Sequence, residues 1–315
     1  MLFITAINNQ IPIRLYIRHI RHILKYSSIR KVWNAIKMLW HYFNEDTILS
    51  TKPLLLKVEL SRHCTVNCRY CFAPKEYCFY SFEKFKTIVD SLAPYIFMTQ
   101  LYEIGEPLHH PDILKCINYT HNMGIGTVIS TSLSLDKPDS FWMGLVDSGL
   151  DRLIVAIDGI TVPIYNNYRT NGNLSLVINN LKKILKFRKK GQNKLYVEWQ
   201  MIDFTWNRCE HNLARKMAIA LGCDCFRIIP DVHEQRNISK GGKKLRNKNC
   251  IWSFVLLLVN VKGDIVSCFK PDYNPVVLGC LSKSKLDEIW NGNNIRQIRS
   301  RKTITSYNCC KFCDE

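Results

Sequence analysis

No apolar run in this 315-residue chain approaches the roughly 18 residues needed to cross a bilayer; the longest is Phe254 to Val259. That excludes a membrane-spanning helix, and the N-terminus lacks the compact apolar core of a secretory signal, so the expected compartment is the cytoplasm. Glycine and proline are sparse, 14 and 11 residues against 47% apolar content, which excludes collagen-like repeats and bulk disorder. Acidic residues are missing altogether from three segments, 1–44, 181–194 and 236–248, which hold seven, seven and six Lys or Arg. These segments account for the net charge of +18, and elsewhere 24 basic residues face 26 acidic ones. The body of the protein is therefore near neutral, and the positive charge belongs to local faces. Leu181 to Lys194 reads as a solvated lysine-rich helix end stopped by Gly191.

What is abundant is cysteine, fourteen residues in a chain expected to be kept reducing. Disulfides explain such a set poorly, which leaves metal ligation or scattered buried thiols. The first 50 residues read as a basic amphipathic helix or helix pair. Arg14, Arg18, Arg21 and Lys25 lie beside Ile13, Ile17, Ile20 and Leu24, followed by Trp33, Ile36, Leu39, Trp40 and Phe43. This segment is expected to cover the outside of the main domain, with contact to a membrane surface as the other use of such a helix.

From residue 51 to 235, short β-branched runs alternate with longer amphipathic ones. Strands are expected at Leu54–Leu60, Thr99–Ile104, Gly126–Thr131, Arg152–Ile157, Lys194–Ile202 and Cys225–Pro230. Helices are expected at Phe82–Leu92, Asp112–Met123, Pro138–Ser148, Leu174–Arg188 and Arg208–Leu221. Six β/α steps imply an α/β fold, a partial (β/α)6 barrel of TIM type with its site at the C-terminal strand ends. Residues 236–315 break the alternation and read as a smaller unit built on a hairpin of Phe254–Val259 with Asp264–Cys268.

The chemistry-bearing element follows the first strand: Cys64, Cys68 and Cys71 in a C-x3-C-x2-C loop. Three thiolates can hold three corners of a [4Fe–4S] cluster and leave one iron open. A zinc site completed by His63 or Cys78 is the competing reading. The loop, its place after strand one and the aromatic Tyr70 before its third cysteine resemble the radical S-adenosylmethionine (radical SAM) superfamily. The resemblance implies that Cys64, Cys68 and Cys71 ligate the cluster and that its open iron chelates SAM, with Tyr70 near the adenine. It further implies one-electron reduction by a partner such as flavodoxin or ferredoxin, then SAM cleavage to a 5′-deoxyadenosyl radical that abstracts hydrogen from substrate.

Gly105-Glu106-Pro107 after the second strand resembles the segment that binds the SAM ammonium, and Ser130, Thr131 and Ser132 close strand three where relatives place polar groups toward SAM. Val155-Ala156-Ile157-Asp158-Gly159 resembles the family's S-x-D-G segment, with Ala156 in place of the serine that contacts ribose. Arg169 matches an arginine held toward the SAM carboxylate. A solvated or structural turn is the alternative for each of these. The Ile-Trp helix at Leu286–Trp290 and the order Cys250, Gly263, Cys268, Cys310, Cys313 resemble the SPASM and shorter twitch extensions, implying one auxiliary [4Fe–4S] cluster on those four cysteines. A zinc ribbon competes, and Cys280 or Cys309 is a substitute ligand. Cys78, Cys116, Cys209, Cys223 and Cys225 read as buried thiols, and His109 and His110 as residues of a helix entry.

The function expected is radical oxidation or cross-linking of a peptide or protein side chain, with dehydrogenation or epimerisation of a carbohydrate or aminocyclitol as the alternative. A non-enzymatic iron–sulfur or zinc protein binding nucleic acid through Trp33, Trp40 and residues 236–248 is the third reading, although no specific nucleic-acid motif is present.

Overall fold

The structure is a computed structural model that describes residues 24–71, 73–74, 76–190, 195–231, 250–267 and 275–300. Six parallel strands form the body: β1 (Leu55–Val58), β3 (Met98–Gln100), β4 (Gly126–Thr131), β5 (Arg152–Ala156), β7 (Tyr196–Asp203) and β8 (Cys225–Pro230). They lie in that spatial order. Helices α2 (Phe82–Leu92), α3 (Ile113–Asn122), α4 (Asp139–Asp147), α6 (Leu174–Lys190) and α7 (His211–Leu221) connect them. The partial α/β barrel expected from the alternation is what the chain forms.

The side of its strands covered by helices is apolar, as in parallel sheets. The helix-facing side contributes Leu56, Val58, Ile129, Leu153, Val155, Val197, Trp199 and Met201 to the main core. The opposite face holds a separate small cluster of Met98, Val128 and Ile154. That face also carries charge. Lys57 pairs with Glu103, and Glu198 receives both Arg152 and Arg227, the latter at 2.6 Å. Burial alone would raise the Glu198 carboxyl, but the two guanidiniums outweigh it and hold it below its usual range.

The C-terminal segment continues the same sheet. A single helical turn, Trp252–Val255, precedes β9 (Leu256–Val259), which pairs in parallel with β1, Leu55 opposite Leu256. The expected strand therefore starts two residues later than Phe254, whose fully buried ring packs edge-on against Tyr42 at 5.3 Å. Antiparallel β10 (Asp264–Val266) and β11 (Val277–Cys280) follow. Helices α8 (Leu286–Trp290) and α9 (Asn293–Arg299) then return to the segment before β1. Trp290 donates its indole N–H to Thr51 O at 2.9 Å. Arg299, pushed down to about 9 by burial, donates to Ser253 O and Thr47 O and stacks over Trp290.

Helix α1 (Ile29–Phe43), N-capped by Ser28, packs on the body through Lys31, Asn34, Met38 and Tyr42. Asn34 exchanges two hydrogen bonds with the backbone of Lys52, each 3.0 Å. The helix covers the outside of the body, as expected of this segment; of its apolar stretch Leu39 and Phe43 pack against the core, while Trp33, Ile36 and Trp40 are exposed. Asn34 decides the orientation, because its amide matches a backbone donor and acceptor that no apolar side chain would satisfy.

Candidate active site

The cysteine loop, the Gly105–Pro107 turn, Ser130–Ser132 and Asp158 lie at the C-terminal ends of β1, β3, β4 and β5, the end where barrel sites are built. The cysteine loop leaves β1 through Glu59, a fully buried carboxylate that accepts from Arg62 Nε at 2.8 Å and from the Val261 N–H at 2.9 Å. Cys64 and Cys68 are half-buried and Cys71 is exposed. Cys71 N–H closes a tight turn on Cys68 O at 3.0 Å.

Two clamps hold this loop. The first is the Gly105-Glu106-Pro107 turn. Gly105 sits at φ +72°, and a Cβ there would meet Ser61 O at 2.4 Å and Arg62 Cα at 2.8 Å, so only glycine allows the approach. Glu106 N–H donates to His63 O at 2.9 Å. Its buried carboxylate accepts from Ser132 N (2.8 Å), Ser132 Oγ (2.7 Å) and Leu108 N (3.3 Å). Burial raises the Glu106 carboxyl, against these hydrogen bonds. The side chain thus ties the turn to the end of β4, and Pro107 starts a buried 3-10 turn. Ser130 is half-buried in β4, and Thr131 Oγ1 accepts from Leu133 N.

The second clamp is a strand pairing that periodicity did not reveal. The loop forms a two-residue strand, β2 (Asn67–Cys68), against β6 (Arg169–Thr170), Cys68 opposite Arg169. Helix α5 (Val162–Tyr168) delivers β6, and Glu210 secures the start of α5 by accepting from Ile160 N at 2.6 Å and Thr161 N at 3.1 Å. Arg169 donates from Nε to Asp158 Oδ2 at 2.7 Å and from Nη1 to the Cys68 sulfur at 3.6 Å. Burial opposes its charge, but Cys68 and Asp158 outweigh that and keep it protonated well beyond its ordinary range. Asp158 also accepts from Ile202 N at 2.8 Å, and its carbonyl accepts from Asn207. The Asp-Gly turn is therefore structural, and it positions Arg169.

Tyr70 lies in an aromatic group with Tyr168, Phe204 and Trp206. Phe204 and Trp206 are stacked at 4.3 Å. Sequence reasoning missed Phe204 and Trp206 because they follow β7 as isolated aromatics. Trp206 Nε1 within this group, and Tyr165 Oη, are buried with no protein hydrogen-bond partner.

On the other side of the loop His63 and His109 lie 4.5 Å apart. Burial, with His63 and Lys137, pushes His109 down to about 4. His110 is structural, its ring bonded to Tyr80 O at 2.7 Å and to Asp112 N at 3.0 Å. Among the other cysteines, Cys116 is buried and Cys223 half-buried, and burial pushes both up to about 12. Cys78 and Cys225 are half-buried, whereas Cys209 is exposed at the foot of α7, correcting its reading as a core thiol.

The donor set fits a cubane cluster: three thiols on one loop, one of them facing a fixed guanidinium. Among the described residues no three His, Cys, Asp or Glu side chains converge on one metal ion. A [4Fe–4S] cluster spreads its thiolates over separate irons, so three thiols on one loop suit it without converging on a single ion. Of the expected auxiliary ligands, half-buried Cys250 is described. Cys268, Cys310, Cys313 and the substitute Cys309 lie outside the described residues, and Cys280 ends β11.

Residues 250–314 match the SPASM family, an iron–sulfur cluster-binding domain, and the match spans all four expected auxiliary cysteines. An AdoMet-dependent heme synthase of Methanosarcina barkeri is 27% identical over 319 residues, covering 84% of this chain and 90% of that protein. The chain carries a C-terminal SPASM-type iron–sulfur domain and is similar over most of its length to an AdoMet-dependent enzyme. Solved radical SAM structures share its fold. Streptococcus suis SuiB has a TM-score of 0.65 at 15% identity, over 90% of this chain and 76% of its own. AdoMet-bound anSMEcpe has 0.58 at 13%, over 83% and 88%. BtrN in complex with AdoMet and 2-DOIA has 0.53 at 15%, over 85% and 95%. The non-enzymatic reading gives way to these relatives.

Proposed function

We propose that this radical SAM enzyme holds its cluster on Cys64, Cys68 and Cys71 and oxidises or cross-links a peptide or protein side chain. The observation that carries the site assignment is the joining of loop and arginine into one unit: Cys68 is paired with Arg169, which Asp158 fixes. When bound, the cluster and SAM supply, on reduction by a flavodoxin- or ferredoxin-type partner, a 5′-deoxyadenosyl radical that takes hydrogen from substrate.

The protein's part is positioning and charge. Arg169 offers its remaining donors to the SAM carboxylate, an anion that a preoriented guanidinium recognises well. The backbone of Gly105 to Pro107 faces the ammonium, held by the Glu106 strap. Ser130 supplies a hydroxyl at the end of β4, and Asp158 acts through Arg169. Tyr70 gives the adenine an aromatic wall, and Trp206 Nε1 is a buried donor in need of a partner. Cys250, Cys268, Cys310 and Cys313 would hold the auxiliary cluster, which would supply an acceptor for the electron left on the substrate.

Arg169→Lys keeps the charge beside Asp158 but loses the planar fork. Its expected effect is a SAM affinity lower by about tenfold, the value of one charge-assisted bond of roughly 1.4 kcal/mol, with the melting temperature little changed; equilibrium binding of SAM to iron-loaded protein checks this. Cys313→Ala is expected to retain SAM cleavage but lose product, together with the irons of one cluster, as read by iron analysis and product assay on the same sample.

The peptide reading is supported by the likeness to SuiB, whose structure is also known with precursor peptide SuiA. Small-molecule oxidation is the second reading, favoured by the relative named as a heme synthase and by BtrN, seen with 2-DOIA. Stimulation of SAM cleavage separates them. A peptide pool stimulates under the first reading, and a pool of aminocyclitols, polyols or heme precursors under the second.

A further inference from the structure

Helix α1 turns an apolar stripe to solvent. Ile29, Trp33, Ile36 and Trp40, at positions i, i+4, i+7 and i+11, are 93%, 58%, 51% and 68% exposed, while Lys31 and Asn34 are buried on the packed side. Val32 in the helix and, beyond its ends, Leu24 and Ile48 are also exposed. Scattered single hydrophobes need no explanation, but a continuous stripe that includes two tryptophans marks a contact surface.

Charge identifies the contact. The chain has seven Lys or Arg and no acid before Glu45, which follows the end of α1. Exposed Arg30 and Lys37 lie in the same helix as the stripe, with Lys37 Nζ 5.5 Å from the centre of the Trp33 ring. Trp and Ile on one face with cations beside them make a helix that lies in a lipid interface, its rings at headgroup depth and its cations on anionic lipid. A second copy of this chain would cover the apolar stripe but would bring its own cations against these. No helix among the described residues is long and apolar enough to cross a membrane, so attachment would be to the surface.

We infer that α1 is a membrane-surface docking element, seated on anionic phospholipid through Trp33, Ile36 and Trp40. The enzyme would then work beside a bilayer, whatever its substrate, so the inference stands apart from the peptide reading.

Flotation of the full-length, iron-loaded protein tests it, using vesicles of phosphatidylcholine alone and of phosphatidylcholine with phosphatidylserine. The expected result is co-flotation with the anionic vesicles, weakening as salt rises from about 0.1 to 1 M and the screening length falls from about 10 to 3 Å. Trp33→Glu with Trp40→Glu is expected to cut the bound fraction by about tenfold or more, since both anchors become like-charged with the lipid. 5′-Deoxyadenosine formation by this variant stays unchanged, which shows the barrel intact. Arg30→Gln with Lys37→Gln should reduce the preference for anionic over neutral vesicles. Wild-type protein that floats with neither vesicle, or a tryptophan variant that floats as well as wild type, overturns the inference. So does a wild-type dimer that does not float and that the tryptophan variant converts to monomer, which would assign the stripe to a second copy.

Discussion

Cys68→Ala is expected to abolish SAM cleavage and to lower bound iron by about four atoms per chain, one cubane cluster of the two. The effect is total because an iron without its thiolate is lost, and the open iron has no function outside the intact cluster. Cys68 also occupies the strand position opposite Arg169 and accepts its Nη1–H, so the substitution removes one of the arginine's two fixed contacts. The melting temperature is expected to change little, because the thiol is half-buried and the β2–β6 pairing is made by backbone. Iron analysis, 5′-deoxyadenosine assay and thermal melting of one sample check all three. Retained cleavage would show that the cluster sits elsewhere.

Gly105→Ala is expected to be the most damaging small substitution in the site. The new Cβ would lie 2.4 Å from Ser61 O and 2.8 Å from Arg62 Cα and carbonyl carbon, all backbone atoms that cannot rotate away, at φ +72°. Strain and overpacking of this kind together cost about 2–4 kcal/mol, which for a chain of this size is a fall of roughly 5–10 °C in melting temperature. The same displacement moves the first turn of the cysteine loop, so iron loading falls as well. A variant with wild-type melting and iron content would remove the clamp from the account.

Much of the barrel was legible because its signals are local. Phe82–Leu92 and Gly126–Thr131 occupy the residues that periodicity assigned. Contacts between segments distant in sequence were not legible. Two-residue strands at Asn67–Cys68 and Arg169–Thr170 have no period to detect. The spacing of Asp158 and Arg169 drew attention to both residues, but not to the bond between them, which makes one the support of the other. Glu106 was singled out by its motif, but the bonds that tie its carboxylate to Ser132 N and Oγ were not.

Helix α1 shows the same limit from the opposite direction. Amphipathicity was read correctly, but the packed face is set by Asn34 meeting the backbone of Lys52 and by Tyr42 meeting Phe254. Those partners lie 18 and 212 residues away in sequence, so periodicity alone could not orient the helix. The charged pairs on the inner barrel face, Lys57 with Glu103 and Glu198 with Arg152 and Arg227, were likewise hidden, since each residue alone reads as ordinary strand alternation.

The central claim is that the Cys64–Cys71 loop and its two clamps form a SAM-cleaving centre. Its most direct test is the yield of 5′-deoxyadenosine from anaerobically reconstituted, reduced protein given SAM, with methionine measured alongside. The account predicts both products in equal amounts from the wild type and neither from Cys68→Ala. Protein that carries its full iron, binds SAM and is reduced, yet forms no 5′-deoxyadenosine with any of the substrate pools, would contradict it.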